Sequence, residues 1–319
     1  MTKFILRRIV ISIPTLLGIS LVLFAIISLA PGDPFGDIAL NPNVPPEVQQ
    51  KLRQQLGLDD PVYVRYVKWL TSLLRGDWGV SFVNRAQVVD LIWQRLPTTI
   101  FVLGTAYLLA LLIALPVGII SAVKQYSLWD NLATTFAFLG YSLPTFFTGL
   151  LFILVFTVKL RWLPEVYTTN IEASGVNYLL EVLRHAAMPI MVLALFQSAE
   201  LTRYVRSSVL DVIHLDYVRT ARAKGLSEPR VVLVHAVRNA LIPVVTIMAL
   251  QIPAIFTGAL ITEQIFRVPG IGSLLIASIN AHDTPVIMGI VFTYAVLVVT
   301  FNLIADVLYG VLDPRITYS

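Results

Sequence analysis

The stretch TTIFVLGTAYLLALLIALPVGIISAV, residues 98–123, contains no charged residue. A bilayer core is crossed by a helix of about 20 mostly apolar residues, so this run predicts a membrane span. Five further runs follow the same pattern, at 9–30 and at about 132–158, 186–202, 240–262 and 285–305. Together they predict an all-α, polytopic membrane protein with six transmembrane helices. Composition agrees: 57% of the 319 residues are hydrophobic, 13% are charged and the mean hydropathy is +0.79. Soluble domains carry about 25% charged residues, so the 23 basic and 19 acidic side chains here are too few to cover a water-soluble surface.

Lys/Arg counts in short connecting segments set the orientation of a polytopic chain. Lys3, Arg7, Arg8, Lys124, Arg315 and seven basic residues within 203–238 fall on one side. Only Lys159, Arg161, Arg184 and Arg267 fall in the shorter loops of the other. Both termini are therefore expected in the cytoplasm of a multi-pass membrane protein. The uncharged run after Arg8 exceeds a secretory signal's apolar region of about 7–15 residues, so 1–30 reads as a retained signal anchor. Residues 31–97 are expected to form an external cap. There Pro31-Gly32-Asp33-Pro34 breaks the first helix, Pro45-Pro46 starts a polar helix through Gln55, and Gly57 stops it. Tyr63, Tyr66, Trp69 and Leu70 give that cap an amphipathic face. Residues 98–308 make a five-helix core and 309–319 a cytoplasmic tail.

Much chemistry is missing. There is no cysteine, which removes disulfides, thiolate catalysis and Cys-ligated metals. The phosphate-loop pattern Gly-x-x-x-x-Gly-Lys-Ser/Thr does not occur, and the four histidines lack metal-ligand spacing. No nucleophile–base set suggests a membrane enzyme, and the dispersed basic residues argue against nucleic-acid binding. Within the spans, Glu200 is expected to pair with Arg203 or sit at the interface, and Asp306 is terminal. A secondary carrier, the rival reading, would place carboxylates near the midplane, where this chain offers Gln197, Gln251 and Asn302. Energy is expected from another subunit, and no cofactor is expected in this chain.

The longest cytoplasmic connection holds Leu215-Asp216-Tyr217-Val218-Arg219-Thr220-Ala221-Arg222-Ala223-Lys224-Gly225-Leu226. Asp216 is suited to cap a short helix that stops at Gly225, with Lys224 on its C-terminal dipole. Ser227 and Pro229 then start the next helix. The small residues Ala221, Ala223 and Gly225, flanked by Arg219, Arg222 and Lys224, suit docking into a groove on another protein.

This segment, followed by Asn239-Ala240-Leu241-Ile242-Pro243, resembles the Glu-Ala-Ala loop of ABC importer inner-membrane permeases of the dipeptide/oligopeptide/nickel branch. Arg219, Thr220 and Ala221 occupy the Glu-Ala-Ala positions, Gly225 the motif glycine, and Arg238 the later proline. The likeness extends along the chain through Pro31-Gly32-Asp33-Pro34, Gly76-Asp77-Trp78-Gly79-Val80-Ser81, Gly140-Tyr141-Ser142-Leu143-Pro144 and Glu263-Gln264-Ile265-Phe266-Arg267-Val268-Pro269-Gly270-Ile271-Gly272. It implies a type I importer permease fold and a second permease subunit. It also implies two ATPase subunits that bind ATP and Mg, an external substrate-binding protein and a peptide or related cargo. Asp216, Arg219, Thr220, Ala221, Arg222, Lys224 and Gly225 would then meet the ATPase.

Proline-broken third and fifth helices, at Pro144 and Pro253, are expected to line an uncharged path with Tyr141, Ser142, Gln251 and Thr257 able to hydrogen-bond a peptide backbone. Beyond Pro269-Gly270-Ile271-Gly272, Leu274, Leu275, Ala277, Ser278 and Ile279 form an amphipathic helix too short to span. It is expected to dip from the outer face as a gate, with Leu275 and Ile279 at the mouth of the path.

Overall fold

The computed structural model describes residues 2–29, 47, 60–169 and 171–312. The elements expected at 31–57 lie outside the described residues, apart from residue 47. Helices dominate in the order α1 (Thr2–Leu29), α2 (Val62–Leu74), α3 (Val88–Val123), α4 (Leu128–Ser142) and α5 (Thr145–Phe152), which continues as a π-helix over Ile153–Lys159. Then come α6 (Val176–Ile213), α7 (Asp216–Ala223), α8 (Glu228–Arg230), a second π stretch (Val231–Val237), α9 (Arg238–Ile265), α10 (Ile271–Asn280) and α11 (Thr284–Leu312). Among the described residues five helices are long and apolar enough to cross a bilayer. The pair Leu128–Ser142 and Thr145–Lys159, bent by 102°, makes a sixth span if counted as one.

The bend sits where the sequence places it. Pro144 has no amide hydrogen to continue α4, and the residue before it, Leu143, is extended at φ −85° and ψ 126°. At the other end α4 is capped locally: Ser127 Oγ accepts from the Asp130 amide at 3.3 Å. The expected break at Pro253 is corrected, because α9 runs unbroken from Arg238 to Ile265. A membrane helix carries proline where neighbouring groups satisfy the freed carbonyl. The irregularity lies earlier, in the π stretch before Arg238. The fourth span is also longer than its apolar run, since α6 continues past Thr202 to Ile213.

The chain divides into two compact units, one built on Pro97–Ser273 with Met1–Ile5 and Thr300–Ser319, the other on Leu6–Leu96 with Leu274–Val299. In the first, α6 is the hub, with α4, α5 and α9 packed on it. Close approach is seen at Gly140 of α4, where a Cβ would lie 3.2 Å from that of Ala199 of α6. Large apolar side chains point outward, including Leu112 at 72%, Phe136 at 70% and Phe138 at 72% exposure. In a chain of this hydropathy such a surface belongs in lipid or against another membrane helix.

In the second unit, Tyr66 and Trp69 of α2 turn toward α1. The Tyr66 hydroxyl lies 2.9 Å from that of buried Ser20, and both rings contact Phe24 at centroid distances of 5.5 and 5.8 Å. Tyr63, expected on this face, is 72% exposed instead. The Gly76–Ser81 motif ends in a buried polar knot. Ser81 Oγ donates to the carboxylate of Asp283, which also accepts the Phe82 amide at 3.1 Å.

Candidate functional site

The helix α7 begins one residue before the expected cap is used up. Leu215 holds the N-cap position, Asp216 is the first helical residue, and no side chain caps the end. Asp216 acts instead through charge, as an anion in the first turn and 3.6 Å from Arg219 Nη1. Gly225 adopts φ +78°, the left-handed conformation that ends a helix at least cost to glycine.

The small-residue face divides, and Ala221 is corrected from an outward position to an inward one. Val218 (0% exposed) and Ala221 (6%) join a core with Val209, Ile213, Val231, Val232, Ala236 and Val237. Asp216, Arg219, Thr220, Ala223, Lys224 and Gly225 remain exposed. Arg222 is turned away from the outer face. Its Nη2 and Nε lie 2.7 and 3.1 Å from the Glu228 carboxylate, and its Nη1 donates to the Ile213 carbonyl at 3.4 Å. The hydrogen bond to Glu228 raises the Arg222 pKa above its ordinary value. A single side chain thus ties α7 to the end of α6 and to α8. Asn239 Nδ2 adds a bond to the Tyr217 hydroxyl at 3.2 Å. Sequence reasoning missed Glu228, although an acid six residues past an arginine, across a glycine turn, is a legible partner.

The expected path residues lie on two helices, Tyr141 and Ser142 at the end of α4 and Gln251 and Thr257 in α9. Tyr141 stacks on Phe196 at 5.8 Å, with the Arg203 guanidinium 5.2 Å from its ring centroid. Of the two expectations for Glu200, the ion pair with Arg203 does not form among the described residues, Glu200 is partly exposed, and a ring face at cation–π distance holds the guanidinium. Ser142 is exposed beside the bend, and Gln251 is half-buried in α9. The Thr257 side chain lies outside the described residues. Gln197 has a buried Oε1 without a hydrogen-bond partner among the described residues. An apolar groove of about 450 Å³ runs between α3, α4 and α6, lined in part by Ile113, Trp129, Phe136 and Leu195. Leu275 is buried and Ile279 half-exposed on α10.

The apolar spans are expected to hold almost no ionisable groups, and just beyond two of those runs the structure buries a carboxylate. Helices outrun the apolar runs that predict them, so Asp130 and Glu263 fall inside helices and are each 2% exposed. Asp130 accepts Arg206 Nε at 2.8 Å and Nη2 at 2.9 Å, the Tyr126 amide at 2.9 Å and the Ser121 hydroxyl. Glu263 accepts the Thr99 hydroxyl at 3.0 Å and the Ser273 amide at 2.9 Å. Among the described residues, no group of three or more His, Cys, Asp or Glu side chains is placed to hold a metal ion.

A family model described as "Binding-protein-dependent transport system inner membrane component" matches residues 114–318, and one for the N-terminal part of such membrane components matches residues 1–103. Over whole chains on both sides, the protein is 44% identical to the oligopeptide transport system permease protein AppB of Bacillus subtilis (strain 168). It is 36% identical to the dipeptide transport system permease protein DppB of Escherichia coli (strain K12). It is 37% identical to the glutathione transport system permease protein GsiC of the same strain. A crystal structure of an amino acid ABC transporter with histidines superimposes with a TM-score of 0.51 at 13% identity, covering 69% of this chain and 92% of that one, a likeness of fold alone. With both family models matched in order along one helical, multi-pass chain, the protein belongs to the inner-membrane permease components of binding-protein-dependent transport systems.

Proposed function

We propose that this chain is a permease subunit of an ATP-driven importer for peptides or a related small solute such as glutathione, with both termini in the cytoplasm. It would pair with a second permease to form the path, receive cargo from an external binding protein and take its energy from two separate ATPase subunits. The observation that carries the reading is the construction of α7. Its inner face is bolted to α6 and the π stretch, while its outer face offers Asp216, Arg219, Thr220, Ala223 and Lys224. A push on that outer face moves the helix and its supports together, because a packed core does not deform continuously. The relatives' named cargoes favour peptides. In this arrangement Tyr141, Ser142, Gln251 and Thr257 line the path, and α10 with Leu275 and Ile279 closes its outer end.

The test is uptake into sealed vesicles. Peptide accumulation should require this chain, a second permease, the ATPase pair, the binding protein and ATP together. Uptake by this chain alone would overturn the reading in favour of a secondary carrier. Gly225→Asp should leave an assembled complex that hydrolyses ATP without uptake, since an L-side chain is disfavoured at φ +78°. Unchanged transport by that variant would remove α7 from the coupling role. The absence of native cysteine makes topology equally accessible to test. A cysteine at Asn84 should react with an impermeant thiol reagent outside, and one at Ser319, beyond the described residues, should not.

A further inference from the structure

The amino end of α10 has no local cap. Its first helical residue, Ile271, follows Val268-Pro269-Gly270, none of which has a polar side chain, yet the first amides of any helix lack partners within it. Those amides are met from two other helices. The Ile271 amide donates to Thr99 Oγ1 of α3 at 2.8 Å, and the Ser273 amide donates to Glu263 Oε2 of α9 at 2.9 Å. The Thr99 hydroxyl in turn donates to Glu263 Oε1 at 3.0 Å, joining the two caps into one network. Thr99 and Glu263 are 1% and 2% exposed, so water does not substitute for these bonds.

The two glycines of the Pro269-Gly270-Ile271-Gly272 turn make room for this network. A Cβ on Gly272 would stand 2.8 Å from Glu263 Oε2, and one on Gly270 would overlap the carboxylate itself. Their role is therefore steric, set by a side chain seven and nine residues earlier.

We infer that Thr99 and Glu263 are positioning residues that form a shared, detachable N-terminal cap on α10, and that this cap holds the helix carrying Leu275 and Ile279 in its resting place. The inference rests on the gate role given to α10 above. The geometry supplies the release: the network closes only while α3, α9 and α10 stay within hydrogen-bond reach at one point. Separation of any one of them strips a charge-favouring helix end of its carboxylate. A conformational change in the spans would thereby reach the outer helix through the cap.

The test uses the assembled transporter in sealed vesicles, right side out and without nucleotide, with Ile279→Cys as the only cysteine and an impermeant maleimide outside. Thr99→Val and Glu263→Gln should each speed labelling by about tenfold, the order expected when a helix cap is lost. The double variant should label no faster than the faster single one, and Thr99→Ser should restore the parent rate. Ser273→Pro, which removes the donated amide while remaining tolerated in a first helical turn, should act like Thr99→Val. Ser273→Ala, which keeps that amide, should not, and this pair decides the matter if the buried variants fail to assemble. Parent labelling rates in Thr99→Val and Ser273→Pro complexes that still transport would overturn the cap while leaving the importer reading intact. Uptake independent of the ATPases would instead overturn the importer reading.

Discussion

Asp130 and Glu263 are buried to the same degree in the same unit, and they are held in different ways. Asp130 meets the planar fork of Arg206 through two bonds of 2.8 and 2.9 Å, so an anion is matched by a cation that does not lose its charge. Glu263 meets a hydroxyl and a backbone amide. The first arrangement fixes α4 to α6 as a firm joint, because parting the pair leaves the buried Asp130 carboxylate without its cation. The second joins α9 to two other helices, α3 through Thr99 and α10 through the Ser273 amide. Two carboxylates with one burial value thus serve as a bolt, through the Arg206 fork, and a latch, through the cap that Glu263 shares with Thr99.

The sharpest way to break this comparison is to remove the cation. Arg206→Ala should destabilise the complex by about 3–5 kcal/mol, because it strands a buried carboxylate. Thermal unfolding of the detergent-purified transporter measures it, and Asp130→Leu with Arg206→Met should recover most of the loss. A decrease no larger than that of Thr99→Val would erase the distinction between bolt and latch. Next in size is Gly270→Ala, which drives a methyl group into the Glu263 carboxylate and should cost about 1–3 kcal/mol by overpacking. Adding Glu263→Ala should relieve that clash, visible as higher assembled yield than Gly270→Ala alone.

A smaller effect tests the donors themselves. Thr134 Oγ1 lies 3.3 Å from Asp130, much as Thr99 lies near Glu263, but Asp130 keeps its guanidinium fork without it. Thr134→Val should therefore cost under about 1 kcal/mol in the same unfolding assay, with no change in Ile279→Cys labelling. Smallest of all is the exposed joint of α7. The Arg222 and Glu228 side chains are 36% and 53% exposed, so Glu228→Ala should shift stability by only about 0–1 kcal/mol. Its signature should be functional, as ATP hydrolysis that drives less uptake, and the swap of Arg222→Glu with Glu228→Arg should restore part of it.

The membrane class was legible because its signal is long. A run such as 98–123 reads as a span, and Pro144 and Gly225 act through their own backbone. The short helix at 216–223 was legible for the same reason, with its stop residue placed correctly. The inward side of that helix was not. Ala221 and Ala223 are chemically alike, and only the packing of Val218 against Val231 and Val232 decides which alanine is covered.

The sequence by itself determined the span pattern, the charge bias, the bend at Pro144 and the turn at Gly225, all of which depend on residues near one another in the chain. Tertiary structure alone decided which ionisable groups are inside. Asp130 and Arg206 are 76 residues apart, and Thr99 and Glu263 are 164 apart. At the edges of apolar runs such residues look like interfacial charges, and no local pattern marks them as partners. The helices extend beyond the apolar runs because backbone hydrogen bonding continues wherever a packed neighbour satisfies the side chain, and that neighbour exists only once the chain has folded.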